Sequence, residues 1–284
     1  MKTEFSTDIP QFDAILAETG EEKFFIEDCL NSVSSMPLED FFQLMEELSD
    51  ISVDTEVAES PDRTCRDMIE AAQSAAKQIA SEYFQVDIRK EISPDVFYFF
   101  DGGIFDGCSR KMSFYSIFPG KVFMSKQESE AVQLLEIFRQ VWNFSSYSWI
   151  AFDGSDFPCR SGLSCSIPSR GDQYFSQIND SLNSYATYIF YQRFASSIPW
   201  FEEPGGKGGN LIRYIFSSKD YDVFGRIFER INHSNSERDP LTIMKDFHRA
   251  KLNGDMFDVR GYCKNAYGPK GLKKLGELTS LSEQ

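Results

Sequence analysis

Apolar and polar residues follow two rhythms along this chain, and the change from one to the other divides it. Over residues 37–50 the apolar positions Leu38, Phe41, Phe42, Met45 and Leu48 share one stripe of a helix. A second stripe, Cys65, Met68, Ile69, Ala72, Ala76, Ile79 and Tyr83, predicts a long helix ending near residue 84. Ser60-Pro61-Asp62 suits its start: a cap, a proline for the first turn, and an acid at the positive end of the helix dipole. The alanines of this stripe allow a neighbouring helix to approach closely. Residues 1–20 show neither rhythm and read as an irregular start.

Near residue 86 the pattern changes. Val96-Phe97-Tyr98-Phe99-Phe100 is a continuous aromatic run, the mark of a buried strand. Asp101-Gly102-Gly103 and Asp106-Gly107 signal turns. Residues 112–118 alternate loosely, Pro119-Gly120 turns again, and residues 121–124 read as another strand. Residues 86–124 are therefore expected to form a small antiparallel sheet. Ser125-Lys126-Gln127-Glu128 then has capping-box spacing and opens a helix with Ala131, Leu134, Leu135, Phe138, Val141 and Trp142 on its core face.

Residues 145–172, rich in Ser, Gly, Asp and Pro, read as a long loop, a kind of segment that often carries function. A second strong helix is predicted over 173–196, with Ile178, Leu182, Tyr185, Ile189 and Phe194 inward. The rest reads as helical, broken near 232–239 and at Asn253-Gly254. The expected class is α+β, with a small, mostly antiparallel sheet packed on a predominantly helical body. An acidic helical region at 1–85 precedes a main domain at 86–284.

Charge is unevenly spread. The net charge is −15 over 284 residues, and residues 1–70 alone hold 19 Asp and Glu against 4 Lys and Arg. That face repels nucleic acid and anionic membrane, and it suits a protein partner with a basic surface. A solvated face on amphipathic helices explains the same charge without a partner. No apolar run is long enough to cross a bilayer. The N-terminus lacks the apolar core of a secretory signal, so the expected location is the cytoplasm, or outside the cell by export without a recognisable signal. The 27 phenylalanines predict an aromatic-rich core.

Candidate chemistry is sparse. Six cysteines stand without CxxC spacing, and His233 and His248 are the two histidines, so a zinc finger is not expected. Cys159 and Cys165 bracket a short segment and could close a disulfide in an oxidising compartment; reduced thiols are favoured. Gly205-Gly206-Lys207-Gly208-Gly209 departs from the phosphate-loop pattern and reads as a connection between helices. Asp153-Gly154-Ser155-Asp156 lacks the rest of a calcium loop, and Gly162-Leu163-Ser164-Cys165-Ser166 is not a nucleophile elbow. The histidines read as surface or half-buried structural residues. Arg260, Lys264, Lys270, Lys273 and Lys274 make a modest basic patch with few aromatics, thin support for nucleic-acid binding.

One segment carries a family likeness. Leu134-Leu135-Glu136-Ile137-Phe138-Arg139 resembles the active-site helix of the HExxH zinc metallopeptidases, the zincins, with Glu136 at the position of the general base. Leu135 and Arg139 stand where the two zinc-binding histidines belong. Downstream, Asn179-Asp180-Ser181-Leu182-Asn183-Ser184-Tyr185 resembles that family's second motif, with Asp180 at the third-ligand position and Tyr185 closing it. The resemblance covers about residues 90–270 and implies a zincin-like fold. Leucine has no lone pair to give and guanidinium stays protonated, so no metal, no cofactor and no zinc-dependent hydrolysis are expected. Arg139 is expected to contact Glu136 or Asp180 across the lost metal site.

The leading reading is a non-catalytic interaction or inhibitor protein on a metallopeptidase-like domain. Two alternatives stay open: a hydrolase with a non-standard site around Glu136 and Asp180, and an acidic inhibitor of a nucleic-acid-binding protein acting through residues 1–70.

Overall fold

A computed structural model describes residues 2–49, 58–101, 113–117, 120–154, 156–167, 172–201 and 208–280. The turn at Asp106-Gly107, Cys108, Ser155 and the glycine-rich residues 204–207 lie outside the described residues, as do the side chains of Met45 and Leu48. The fold is α+β.

Three helices make its centre: α3 (Arg63–Ile79), α4 (Glu130–Phe144) and α5 (Ser176–Phe194). Helix α3 is capped by Asp62, whose carboxylate accepts the Cys65 amide at 2.7 Å, so the cap lies two residues past Ser60. Its Ala72, Ala75 and Ala76 are buried and let α4 lie close alongside. One π-helical turn, Ala80–Phe84, extends it to the residue that the apolar stripe predicts. Helix α4 starts later than the capping-box spacing predicts. Its cap is Ser129, which accepts the Val132 amide, because Ser125 is held in a strand paired with Phe100.

That strand is β5 (Lys121–Ser125), central between β3 (Phe97–Phe100) and β4 (Phe114–Ser116). The sheet is mixed rather than antiparallel, since β3 runs parallel to β5 and β4 antiparallel to it. The 20 residues between β3 and β5 are long enough for a parallel crossover. Both faces of the sheet are covered. Phe97 and Phe99 point into the α3–α4 core, while Tyr98 and Phe100 meet Phe41 and Phe42 of α2 (Leu38–Ser49). A strand covered on both sides has no polar face, which is why its sequence is an unbroken aromatic run.

A second sheet corrects two expectations. Residues 1–20 carry β1 (Thr3–Phe5) and β2 (Ala14–Ala17) rather than an irregular start. The expected loop at 145–172 carries β6 (Ser148–Ala151), β7 (Cys159–Ser161), β8 (Ser164–Ile167) and the start of β9 (Asp172–Tyr174). The order is β1-β2-β6-β7-β8-β9, antiparallel except where β2 meets β6. Strands of three or four residues are too short for an alternating pattern to stand out from a polar loop. Helix α1 (Gly20–Ser34), capped by Thr19, lays Ile26 and Leu30 on this sheet against Ile15, Ala17 and Ile150. The register of β7 and β8 sets Cys159 opposite Ser166 and Arg160 opposite Cys165. The two cysteines therefore project from opposite faces, and both are free thiols.

The C-terminal part is helical: α6 (Gly208–Ile215), α7 (Ser218–Asp222), α8 (Glu229–Ser234), α9 (Pro240–Asn253), α10 (Phe257–Tyr267) and α11 (Gly271–Leu278). Its breaks fall at Asn235 and at Gly254, a left-handed cap with φ 82.

The expected boundary at residue 85 is crossed by the β2–β6 pairing, by the α3–α4 packing and by Lys90. The Lys90 ammonium meets Asp13 at 2.8 Å and donates to the Gln11 and Ser146 carbonyls and the Ser148 hydroxyl. Burial lowers its pKa, and Asp13 opposes that shift. Lys90→Met leaves Asp13 and two carbonyls without their cation, so it is expected to cost about 3 kcal/mol in urea unfolding. A loss under about 0.5 kcal/mol would show that this clamp does not join the N-terminal strands to the body.

Candidate active site between two helices

Helix α4 is buried nearly all round, with 11 of its 15 residues inside. Its polar residues Glu136, Arg139, Gln140 and Asn143 nevertheless recur at i, i+3, i+4 and i+7, one stripe of the helix. Helix α5 has a matching stripe: Gln177, Asp180, Asn183 and Ser184. The helices are held together by Phe138 stacked on Phe190, with ring centroids 4.2 Å apart, and by the Asn183 amide donating to Asn143 Oδ1 at 2.6 Å. Where the two polar stripes meet α6, α7 and β4 lies a cavity of about 530 Å³.

The structure separates the five residues suggested by the peptidase resemblance. Leu135 is in the core, 1% exposed. Glu136 is 6% exposed, and its carboxylate accepts from Arg139 Nη1 at 2.9 Å. The second guanidinium nitrogen of Arg139 donates to the Ile215 carbonyl at 2.9 Å, which fixes the pair against α6. Tyr214, on the same helix, hydrogen-bonds Glu136, and burial together with that negative charge holds its phenol protonated. Arg139 and Asp180 both line the cavity. Tyr185 does not; its ring packs against Phe224 and His248. Of the two contacts expected of Arg139, the one to Glu136 forms.

Asp180 is the open carboxylate of the cavity. No hydrogen bond or ion pair to it is found among the described residues, and its side chain reaches solvent through the cavity mouth. The surrounding protein, and secondarily Asp220, push its pKa up to about 6, against the pull of Lys251, Arg139 and Lys219. Asp220 is committed elsewhere. It closes the capping box of α7 with Ser217 and accepts from the Ser184 hydroxyl at 3.2 Å.

Behind α5 lies a second polar centre that sequence reasoning missed. Lys251 is 0% exposed and donates to Asn179 Oδ1 at 2.8 Å, an atom that also accepts the Leu163 amide at 3.0 Å. Burial drops the Lys251 pKa to about 7. Arg160 donates to the Gly162 carbonyl at 2.6 Å and the Ala250 carbonyl at 3.0 Å, so the β7–β8 turn is clamped onto α5 and α9. Gly162 is required there. Its φ is +62, and a Cβ would lie 2.5 Å from Asn179 Oδ1. His248, expected at or near the surface, is 0% exposed: its ring stacks on Phe84 at 4.1 Å, and neither nitrogen has a partner among the described residues. His233 is exposed on α8.

Comparison with known protein families, with curated proteins and with solved structures finds no match to this chain. The site must be read from its own chemistry.

Gln140, Asn183, Tyr214 and Lys219 were not singled out in the sequence. The signal for the first two was the polar stripe at helical spacing on segments otherwise fit for a core. Tyr214 and Lys219 arrive from short helices far along the chain, and nothing local marks them. Among the described residues no group of three or more His, Cys, Asp or Glu converges as a metal site. Asp153 and Asp156 meet through their backbones in an isolated bridge.

Buried His248 makes stability depend on pH. Burial, and then Lys251, lower its pKa well below 6.5, so the folded state keeps it neutral while the unfolded chain takes up a proton below that value. Its contribution is complete above pH 6.5 and is lost as pH falls towards the depressed folded pKa. His248→Phe keeps a ring against Phe84 and removes the titration. Between pH 6.5 and 5 the wild type should lose up to about 1.4 kcal/mol per pH unit relative to the variant in urea titrations. Parallel pH curves would show that His248 takes up its proton in the fold as readily as in the unfolded chain.

Proposed function

We propose that this protein acts by binding rather than by catalysis, as an interaction or inhibitor protein on a metallopeptidase-like domain that has lost its zinc ligands. The observation that carries this reading is the Arg139–Glu136 ion pair at 2.9 Å. A general base must reach the water it activates. Here the carboxylate in that position is 6% exposed, held by a guanidinium and faced by the Tyr214 hydroxyl. Leu135, where a ligand should stand, belongs to the core.

The docking face in this reading is α1. Its Phe24 and Phe25 are 65% and 47% exposed, beside the exposed acids Glu21 and Asp28. Exposed aromatics with acids on the same helix, and Lys23 over the Phe24 ring, suit a protein partner that is basic around an apolar centre. Nucleic acid is repelled by the same charge. No helix among the described residues is long and apolar enough to cross a membrane.

The hydrolase alternative has one observation in its favour. Asp180 stands open in the cavity with a pKa pushed up to about 6, close to what acid–base chemistry needs near neutral pH.

Removing residues 1–60 is not a clean test, because it takes β1, β2 and α1 out of the fold. Charge reversal of Glu21 and Asp28 to Lys leaves the packing alone. The double variant should lose about tenfold or more in affinity for the partner captured by the wild type from a host extract, and that binding should weaken steeply with salt. Glu136→Gln should bind as the wild type does. Binding that survives the charge reversal would remove α1 from the interface, and stoichiometric zinc uptake by the purified protein would end the metal-free reading.

A further inference from the structure

The cavity between α4 and α5 has an imbalance of hydrogen-bonding groups that the fold does not explain. Gln140 is 3% exposed and its amide nitrogen donates to the Ser113 carbonyl at 3.1 Å. A carbonyl can only accept, so the orientation of that amide is fixed and Oε1 is the atom left over. It has no partner among the described residues. Asn183 is 2% exposed; its nitrogen donates to Asn143 Oδ1, and in that orientation of the amide pair its Oδ1 has no partner among the described residues. Asp180, one helical turn before Asn183, adds a carboxylate with no hydrogen bond or ion pair among the described residues.

Three acceptors thus border one polar cavity, two of them on buried side chains. Leaving a buried acceptor unmatched costs about 1–3 kcal/mol, so a group that satisfies them all gains correspondingly. The cations nearby do not supply it. Arg139 gives both terminal nitrogens to Glu136 and Ile215; its Nε and the Tyr115 hydroxyl border the cavity but bond none of the three acceptors and have no partner among the described residues. Lys251, the strongest positive charge acting on Asp180, donates to Asn179 Oδ1, and Lys219 is an exposed residue on the wall.

We propose that this cavity binds a primary ammonium group, with Asp180, Gln140 Oε1 and Asn183 Oδ1 accepting its three N–H donors. An ammonium matches the site in both respects, since it carries three donors, no acceptor and one positive charge opposite the open carboxylate. A volume of about 530 Å³ is ample for a small amine or for the end of a lysine side chain. The proposal goes beyond the docking face on α1 and does not depend on it.

Calorimetric titration of the full chain near pH 7.5 tests the assignment, with putrescine as a free amine and N-acetyl-lysine amide as a protein side chain. Succinate and glucose serve as controls of opposite and no charge. At least one amine should bind about tenfold or more tightly than either control, and the tighter of the two names the source. Asp180→Asn should weaken that binding about tenfold or more. This variant should melt no lower than the wild type, because it removes a charge that the surrounding protein disfavours. Lys219→Ala removes a like charge from the wall and should tighten binding by about two- to threefold, a gain that a damaged fold does not give. Affinity should also fall as pH drops from 7.5 to 5 and Asp180 takes up its proton. The proposal is overturned if neither amine binds at about 10 mM, if succinate binds as tightly, or if Asp180→Asn leaves amine affinity unchanged. An amine that binds and is chemically altered supports the site while refuting the binding-only reading of the chain.

Discussion

Helix α4 is enclosed along almost its whole length, and the polar groups it carries must find partners inside the protein. That constraint organises the structure around it. Arg139 meets it with its two terminal nitrogens, bonding Glu136 and the last turn of α6, which fixes where the C-terminal helices begin their course. Gln140 meets it halfway by reaching the residue before β4, and Asn143 is met by Asn183 across the interface with α5. An unpaired charge at Glu136 or Arg139 would cost several kcal/mol, so the two act as one unit. The aromatic faces of the same helix, Phe138 and Trp142, set its distance from α5 and from the end of α3.

The same economy of buried polar groups recurs where distant segments join. Lys90 ties the N-terminal strands to the end of α4, and Lys251 with Asn179 ties the β7–β8 turn to α5 and α9. Both lysines have their pKa lowered by burial, and both make contacts that no apolar residue can supply. Arg249 does similar work, donating to the Phe84 carbonyl at the end of the π-helical turn while paired with Asp246. These clamps explain how a chain with two small sheets of short strands holds them on a helical body.

Much of the helical framework was legible in the amino-acid pattern. The stripe from Cys65 to Tyr83 predicted α3 and its extension, and the core face from Ala131 to Trp142 predicted α4. The run at 96–100 predicted β3, because a strand covered by Phe41 and Phe42 on one side and by the α3–α4 core on the other has no polar alternation to lose. The six-stranded sheet was not legible. Its strands are three or four residues long, and β6, β7 and β8 each carry serine, so their propensity is weak. They exist because β2 and β6 find each other across more than 130 residues, under the apolar face of α1.

For the candidate site, sequence placed Glu136, Arg139 and Asp180 on two helices and foresaw that Arg139 would engage a carboxylate. Helical spacing alone determines that much, since residues three or four apart share a face. It could not say that Tyr185 turns away from the cavity, that Asp180 is the carboxylate left open, or that His248 is sealed against Phe84. Those outcomes depend on which groups arrive from elsewhere in the chain: Ser217 and Asp220 from one turn, Ile215 from another, and Phe84 from the end of α3. The sequence determined the helices and their polar stripes, because periodicity is local. Tertiary structure decided which polar atoms are matched and which are left facing a cavity, because matching depends on partners far apart in the chain.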